Sequence, residues 1–113
     1  MLYFQPTANM LAPIIKCHLR TNNFSGALDE FENFCNQYKC TPYKSELIRQ
    51  LIMKEDANGL QKLTDLSTTV HGEINSLYDL VFGFVECDRL KQARRILETP
   101  GMRMGYKRLQ EYY

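Results

Sequence analysis

Residues 77–97, LYDLVFGFVECDRLKQARRIL, hold two apolar-faced helical patterns hinged at Glu86, Cys87 and Asp88. Leu77, Leu80, Val81, Phe84 and Val85 fall on one helical face, and Leu90, Ala93, Ile96 and Leu97 repeat the spacing after the hinge. The unit recurs. A step back of 33 places lays Leu80, Val81, Phe84, Val85, Leu90 and Ala93 over Leu47, Ile48, Leu51, Ile52, Ala57 and Leu60. A second equal step reaches Ile14, Ile15, His18, Leu19, Phe24 and Ala27. Two helices per unit at a fixed period is the signature of an all-α fold, an α-solenoid of helix-turn-helix repeats. The units run over about 8–40, 41–73 and 74–104, with a fourth beginning at 105–113 and a terminal extension at 1–6.

The chain has 113 residues and 44% hydrophobic content, enough for one continuous core. Each solenoid hairpin buries its apolar face only against its neighbours, and neither end carries an obvious polar cap, so a segment of a longer array is expected. No run approaches the roughly 20 apolar residues of a membrane span, and no secretory signal pattern is visible. The net charge of +1 conceals an asymmetry. Residues 1–88 balance at −4 and residues 89–113 at +5, the basic end holding Arg89, Lys91, Arg94, Arg95, Arg103, Lys107 and Arg108. Such a block can neutralise phosphates, meet an acidic partner or form a solvated helical face.

In chain order, Thr7 or Asn9 is placed to cap a first helix carrying Leu11, Ile14, Ile15 and Leu19, with Pro13 arguing for a start later than Thr7. After the turn at Thr21, Asn22 and Asn23, a second helix capped by Asn23 or Ser25 carries Ala27, Leu28, Phe31, Phe34 and Cys35. Pro42 is expected to open the third helix, whose face is Leu47, Ile48, Leu51 and Ile52. Residues 55–59 form a turn before Leu60, Leu63, Leu66 and Val70. Leu60 stands where Ala27 and Ala93 stand in the other units, which predicts a splayed or repacked middle hairpin.

Residues suited to catalysis are sparse. There is no phosphate-binding glycine loop, no Gly-x-Ser-x-Gly elbow and no His-Glu-x-x-His helix, so no enzyme is expected. Cys17, Cys35, Cys40 and Cys87 show no metal-ligand spacing with His18 and His71, and Cys17 and Cys87 fall within apolar patterns as core thiols. No metal, cofactor or small-molecule substrate is expected.

Residues 75–97 resemble the pentatricopeptide repeat: a short polar lead, Leu80-Val81, Gly83, the turn Cys87-Asp88-Arg89, then Leu90, Ala93 and Leu97. With Leu77-Tyr78-Asp79-Leu80 upstream, residues 93–103 (ARRILETPGMR) are similar to the leucine-rich pentatricopeptide-repeat group of animals, including its insect member. The likeness extends over about residues 11–110 and is most specific at 77–103. It implies a large RNA-binding protein, mainly of the mitochondrial matrix, with nuclear or cytoplasmic roles also associated. Such a protein stabilises messenger RNAs, supports their polyadenylation and translation, and works with a small RRM-containing partner. Repeats of this kind read about one base per unit of single-stranded RNA. The family's base-reading places fall on Asn9, Ala12 and Cys40, on Pro42, Ser45 and Glu73, and on Asn75 and Tyr78. Ala12 and Cys40 depart from the usual polar pair, which implies a weak reader, with Arg94, Arg95, Lys107 and Arg108 supplying phosphate contacts. Tyr78 either stacks on a base or packs between helices. The rival expectation is a protein-interaction scaffold presenting acidic units with Phe31, Phe34 and Tyr38.

Overall fold

A computed structural model describes residues 6–99, and all regular structure among them is helical. The fourth unit at 105–113, with Arg103, Lys107 and Arg108, lies outside the described residues. Six helices form three hairpins: α1 (Ala8–Arg20) with α2 (Phe24–Tyr38), α3 (Lys44–Met53) with α4 (Ala57–His71), and α5 (Glu73–Glu86) with α6 (Leu90–Leu97).

The repeat is written into the backbone as well as the apolar pattern. Asn22, Glu55 and Asp88, spaced by the 33-residue period, all take left-handed φ values of 58°, 56° and 60°. In each hairpin the following amide reaches back to a carbonyl five residues earlier: Asn23 to His18, Asp56 to Leu51 and Arg89 to Phe84, at 2.8, 3.0 and 2.7 Å. This Schellman arrangement satisfies carbonyls that a helix C-terminus would otherwise leave orphaned. Two of the second helices then begin alike. The side chains of Asn23 and Asp56 accept from the amides of Gly26 and Gly59 at 3.0 and 2.9 Å, and a Cβ on either glycine would collide with its cap. At α6 the equivalent residue is Arg89, which makes no side-chain cap.

Several expectations need correction. Thr7 caps α1, which starts at Ala8, and Pro13 lies inside that helix, beyond its first turn, on the exposed side. Pro42 does not open α3. It is fully buried in the link at 39–43, and Tyr43, left-handed at φ 59°, precedes the first residue Lys44. Ile14 faces outward with Met10, 43% and 50% exposed, and Leu90 is 52% exposed. Cys17 is likewise exposed on α1, not a core thiol.

The core runs from Leu11 and Ile15 through Ala27, Phe31, Phe34 and Cys35 to Leu47, Ile48, Leu51, Ile52 and Leu63. A smaller cluster of Tyr78, Val81 and Ala93 joins α5 to α6. Because Phe31 and Phe34 are core residues and Tyr38 packs against them, the scaffold reading loses its aromatic contact surface. In the middle hairpin Gly59 takes the close approach, since a Cβ there would lie 2.8 Å from Leu51 Cδ2. Leu60 instead walls an apolar pocket of about 300 Å³ with Leu51, Ile52, Ala57 and Phe84.

The hairpins join in two ways. Across the first junction α2 packs on α4, while α1 and α3 border a cavity and the chain crosses by the link at 39–43. Across the second, α5 packs on both α3 and α4, and Gly72 alone separates α4 from α5. Its φ of 91° and ψ of 162° suit glycine. Gly83 lets α5 close onto α3: a Cβ would lie 2.5 Å from Ile48 Cγ2. Buried Ser67 and Ser76 hydrogen bond at 3.1 Å where α4 meets α5, small polar side chains that satisfy one another at close range.

Candidate nucleic-acid interface

The first helices of the hairpins, α1, α3 and α5, carry six of the eight expected base-reading places, Asn9, Ala12, Ser45, Glu73, Asn75 and Tyr78, while Cys40 and Pro42 lie in the link at 39–43. Between α1 and α3 lies an open cavity of about 500 Å³ lined by Ala8, Asn9, Ala12, Ser45 and the charged Lys44, Glu46 and Arg49, among others. Asn9 and Ser45 are both exposed there, one from the first turn of each helix. The cavity is within the roughly 300–1,000 Å³ range of ligand pockets. Asn offers an acceptor and two donors and Ser one donor with two lone pairs, enough to read a polar edge, and Ala12 leaves room between them.

Ser45 also borders a second cavity, of about 170 Å³, with Asp79, Phe82, Gly83 and Glu86. The divide between the two is electrostatic. Lys44 Nζ meets Asp79 Oδ2 at 2.6 Å, and Arg49 pairs with Glu46 on its own helix and with Glu86 on α5, the latter at 3.6 Å. Both groove cations of α3 are therefore matched by carboxylates. Sequence reading missed this set. Each α3–α5 pair joins residues about one repeat apart, so a search for opposite charges offset by the repeat length would have found it.

At the head of the groove Thr41 Oγ1 and His71 Nε2 share a hydrogen bond of 2.8 Å, tying the link at 39–43 to the end of α4. His71 is the helix-end residue expected, and its pKa is lowered by partial burial and then by Lys44, with Asp79 opposing. Burial pushes the Cys35 thiol up to about 12, with Cys40 adding to the effect, so it is a thiol at neutral pH and chemically quiet. Cys40 and Cys87 are also raised by burial. Among the described residues no three His, Cys, Asp or Glu side chains are grouped to hold a metal.

The other expected site residues scatter. Cys40 is half-buried and Pro42 fully buried, while Glu73 and Asn75 are exposed in the first turn of α5, where the Asn75 amide donates to the His71 carbonyl at 2.8 Å. Tyr78 is 6% exposed, its ring packed near Phe82 with centroids 6.4 Å apart. In this conformation it is a packing residue and offers no open face to a base. Arg94 and Arg95 are exposed on α6, which lines neither groove cavity, so they are not gathered with Asn9 and Ser45. Lys107 and Arg108 lie outside the described residues.

Three curated proteins named "Leucine-rich PPR motif-containing protein, mitochondrial" are similar to this chain. That of Xenopus tropicalis is 35% identical, that of Rattus norvegicus 33% and that of Mus musculus 32%, each over 106 residues. Each alignment covers 94% of this chain, and the chain spans 8% of the length of each relative. No protein-family model matches the chain, and no solved structure does. No helix among the described residues is long and apolar enough to cross a membrane.

Proposed function

The chain is a PPR-type helical-repeat segment related to the leucine-rich PPR motif-containing proteins, and from that premise we propose that it contacts single-stranded RNA through the α1–α3 groove. The observation carrying this reading is the convergence of Asn9, Ala12 and Ser45 on one open cavity of about 500 Å³. Three positions that the family resemblance marks as base-reading meet there, contributed by two successive units. A base held between α1 and α3 takes hydrogen bonds on its edge from Asn9 and Ser45, the manner in which helical-repeat RNA binders read single strands. The surrounding role is maintenance of mitochondrial messenger RNA: its stability, polyadenylation and translation, with a small RRM-containing protein as partner. Arg94 and Arg95, with Lys107 and Arg108 beyond the described residues, add sequence-independent phosphate attraction from the basic end.

Titration with single-stranded RNA at several salt concentrations tests this. Asn9→Ala combined with Ser45→Ala is expected to weaken binding about thirtyfold, two hydrogen bonds at roughly 1 kcal/mol each. Changing Arg94, Arg95, Lys107 and Arg108 to Glu is expected to flatten the salt dependence. A second reading, a protein-interaction scaffold without RNA contact, is favoured by the charge matching of Lys44 and Arg49. It prevails if the chain binds no RNA near 50 mM salt yet retains a protein partner.

A further inference from the structure

We propose that Asp79 and Glu86 of α5 are built-in counter-ions that hold Lys44 and Arg49 away from the phosphates of an RNA strand in the α1–α3 groove. Lys44 and Arg49 line the same cavity as Asn9 and Ser45. Both cations nevertheless turn toward α5: Lys44 to Asp79 at 2.6 Å, Arg49 to Glu86 at 3.6 Å with Glu46 alongside. Among the described residues, three carboxylates, Glu46, Asp79 and Glu86, face these two cations. A phosphate entering this stretch of the groove meets neutralised cations and repelling anions, and gains nothing from counterion release.

The arrangement is not a by-product of the repeat. One period before Lys44 and Arg49 stand Leu11 and Lys16, and one period before Asp79 and Glu86 stand Glu46 and Met53, so the first junction cannot form the same pairs. Basic side chains elsewhere are left differently: Lys91, Arg94 and Arg95 on α6 have no ion pair among the described residues. All four masking and masked side chains are partly solvent-exposed, so the pairs can exchange with an incoming polyanion without opening the core. The consequence is a groove that takes base edges at Asn9 and Ser45 while suppressing indiscriminate binding to any chain of phosphates. The carboxylates of α5 are thus specificity determinants that touch the groove cations and not the base.

This inference rests on the groove being the RNA-facing side, and its test is built to fail separately from that reading. Asp79→Asn with Glu86→Gln, in the whole chain, is titrated with single-stranded RNA and with inorganic polyphosphate, which has no bases. Freeing Lys44, and loosening Arg49 to its remaining partner Glu46, is expected to steepen the log K against log salt slope by about 0.7 and at most about 1.4, at roughly 0.7 per phosphate neutralised on a single strand. Affinity for both probes is expected to rise about tenfold at low salt, and adding Lys44→Gln and Arg49→Gln is expected to abolish the gain. Wild-type affinity and slope for both probes in a folded double variant overturn the proposal. So does a gain that survives removal of Lys44 and Arg49. If the double variant does not fold, Asp79→Asn alone must still steepen the slope by about 0.7. A gain on polyphosphate, together with RNA binding indifferent to Asn9→Ala and Ser45→Ala, keeps the mask and discards the base-reading groove.

Discussion

The two junctions between hairpins are built from the same repeat and end up as opposites. Between the first and second hairpins the first helices stand apart around a cavity lined by Asn9, Ala12 and Ser45, and the chain crosses by the link at 39–43. Between the second and third, α5 closes on α3 through Gly83, the single residue Gly72 makes the crossing, and three ion pairs, Lys44–Asp79, Arg49–Glu86 and Arg89–Glu55, stitch the seam. The lesson is that apolar periodicity fixes which helices pair within a unit, while sparse residues off the apolar stripe decide how units meet. A glycine that admits a neighbour's methyl, a pair of buried serines and charges offset by one repeat close one junction. At the first junction the cross-unit ion pair, Lys62 with Glu32 at 3.6 Å, joins α4 to α2 instead, and α1 and α3 are left bordering the cavity.

The strongest way to break the contrast is to wedge the closed junction apart. Gly83→Val places a branched side chain where Ile48 Cγ2 already lies 2.5 Å from the ideal Cβ position, and Ile48 is buried and cannot swing away. A loss of about 3 kcal/mol is expected, the upper end for overpacking, read as a drop in the urea midpoint. Gly26→Ala is its control. The clash there is with the Asn23 cap, an exposed side chain that can rotate, so the loss should stay near the roughly 1 kcal/mol of a helix cap. Equal losses at the two glycines would mean that the closed junction carries no special strain.

A smaller effect of opposite sign is expected from Glu55→Gly. Glu55 holds a left-handed φ of 56° and pairs with Arg89 at 3.3 Å across the closed junction while its own side chain is largely in water. Glycine relieves the conformational strain, worth roughly 1 kcal/mol, and removes an exposed pair worth about 0–1 kcal/mol. Net stabilisation of a few tenths of a kcal/mol, measured by thermal unfolding, is the expected result; a clear destabilisation would mean the turn-level tie outweighs the strain.

The smallest effect concerns His71, which sits between the junctions. Its pKa is lowered in the folded protein, so the folded state favours the neutral ring and its stabilising contribution is present above the ordinary value of 6.5. As pH falls below that value the unfolded chain protonates first, and stability declines until pH has passed through the lowered folded value. The urea midpoint should therefore decrease modestly from pH 7 to pH 5, and less so in His71→Gln. An identical pH slope in that variant would remove His71 as the source.

Much of this architecture could be read directly from the chain. The 33-residue period, the helix pairs and most of the core follow from apolar spacing because burial leaves its mark at every turn. The backbone period at Asn22, Glu55 and Asp88 could not be read, since three different residue types share one left-handed conformation. Leu60 misdirected attention from Gly59, one place earlier, because a helix can shift its closest approach by one residue without changing its stripe. For the candidate groove, Asn9 and Ser45 were marked by the family resemblance alone, at non-equivalent places in their repeats. The sequence left Tyr78 between stacking on a base and packing between helices, and its ring turns into the α5–α6 cluster. The pairing of Lys44 and Arg49 depends on how closely α5 seats against α3, a distance set by Gly83 and therefore by contacts between units.

Gly72 has a mechanical consequence. A one-residue crossing with a fixed positive φ, backed by α5 seated on two helices, makes the second and third hairpins a stiff block. The first joint is the longer link at 39–43, beside which the first-row helices border open space. A change of angle at that joint would alter the span between Asn9 and Ser45 with the second and third hairpins carried as one lever arm, which couples the shape of the groove to the curvature of the array.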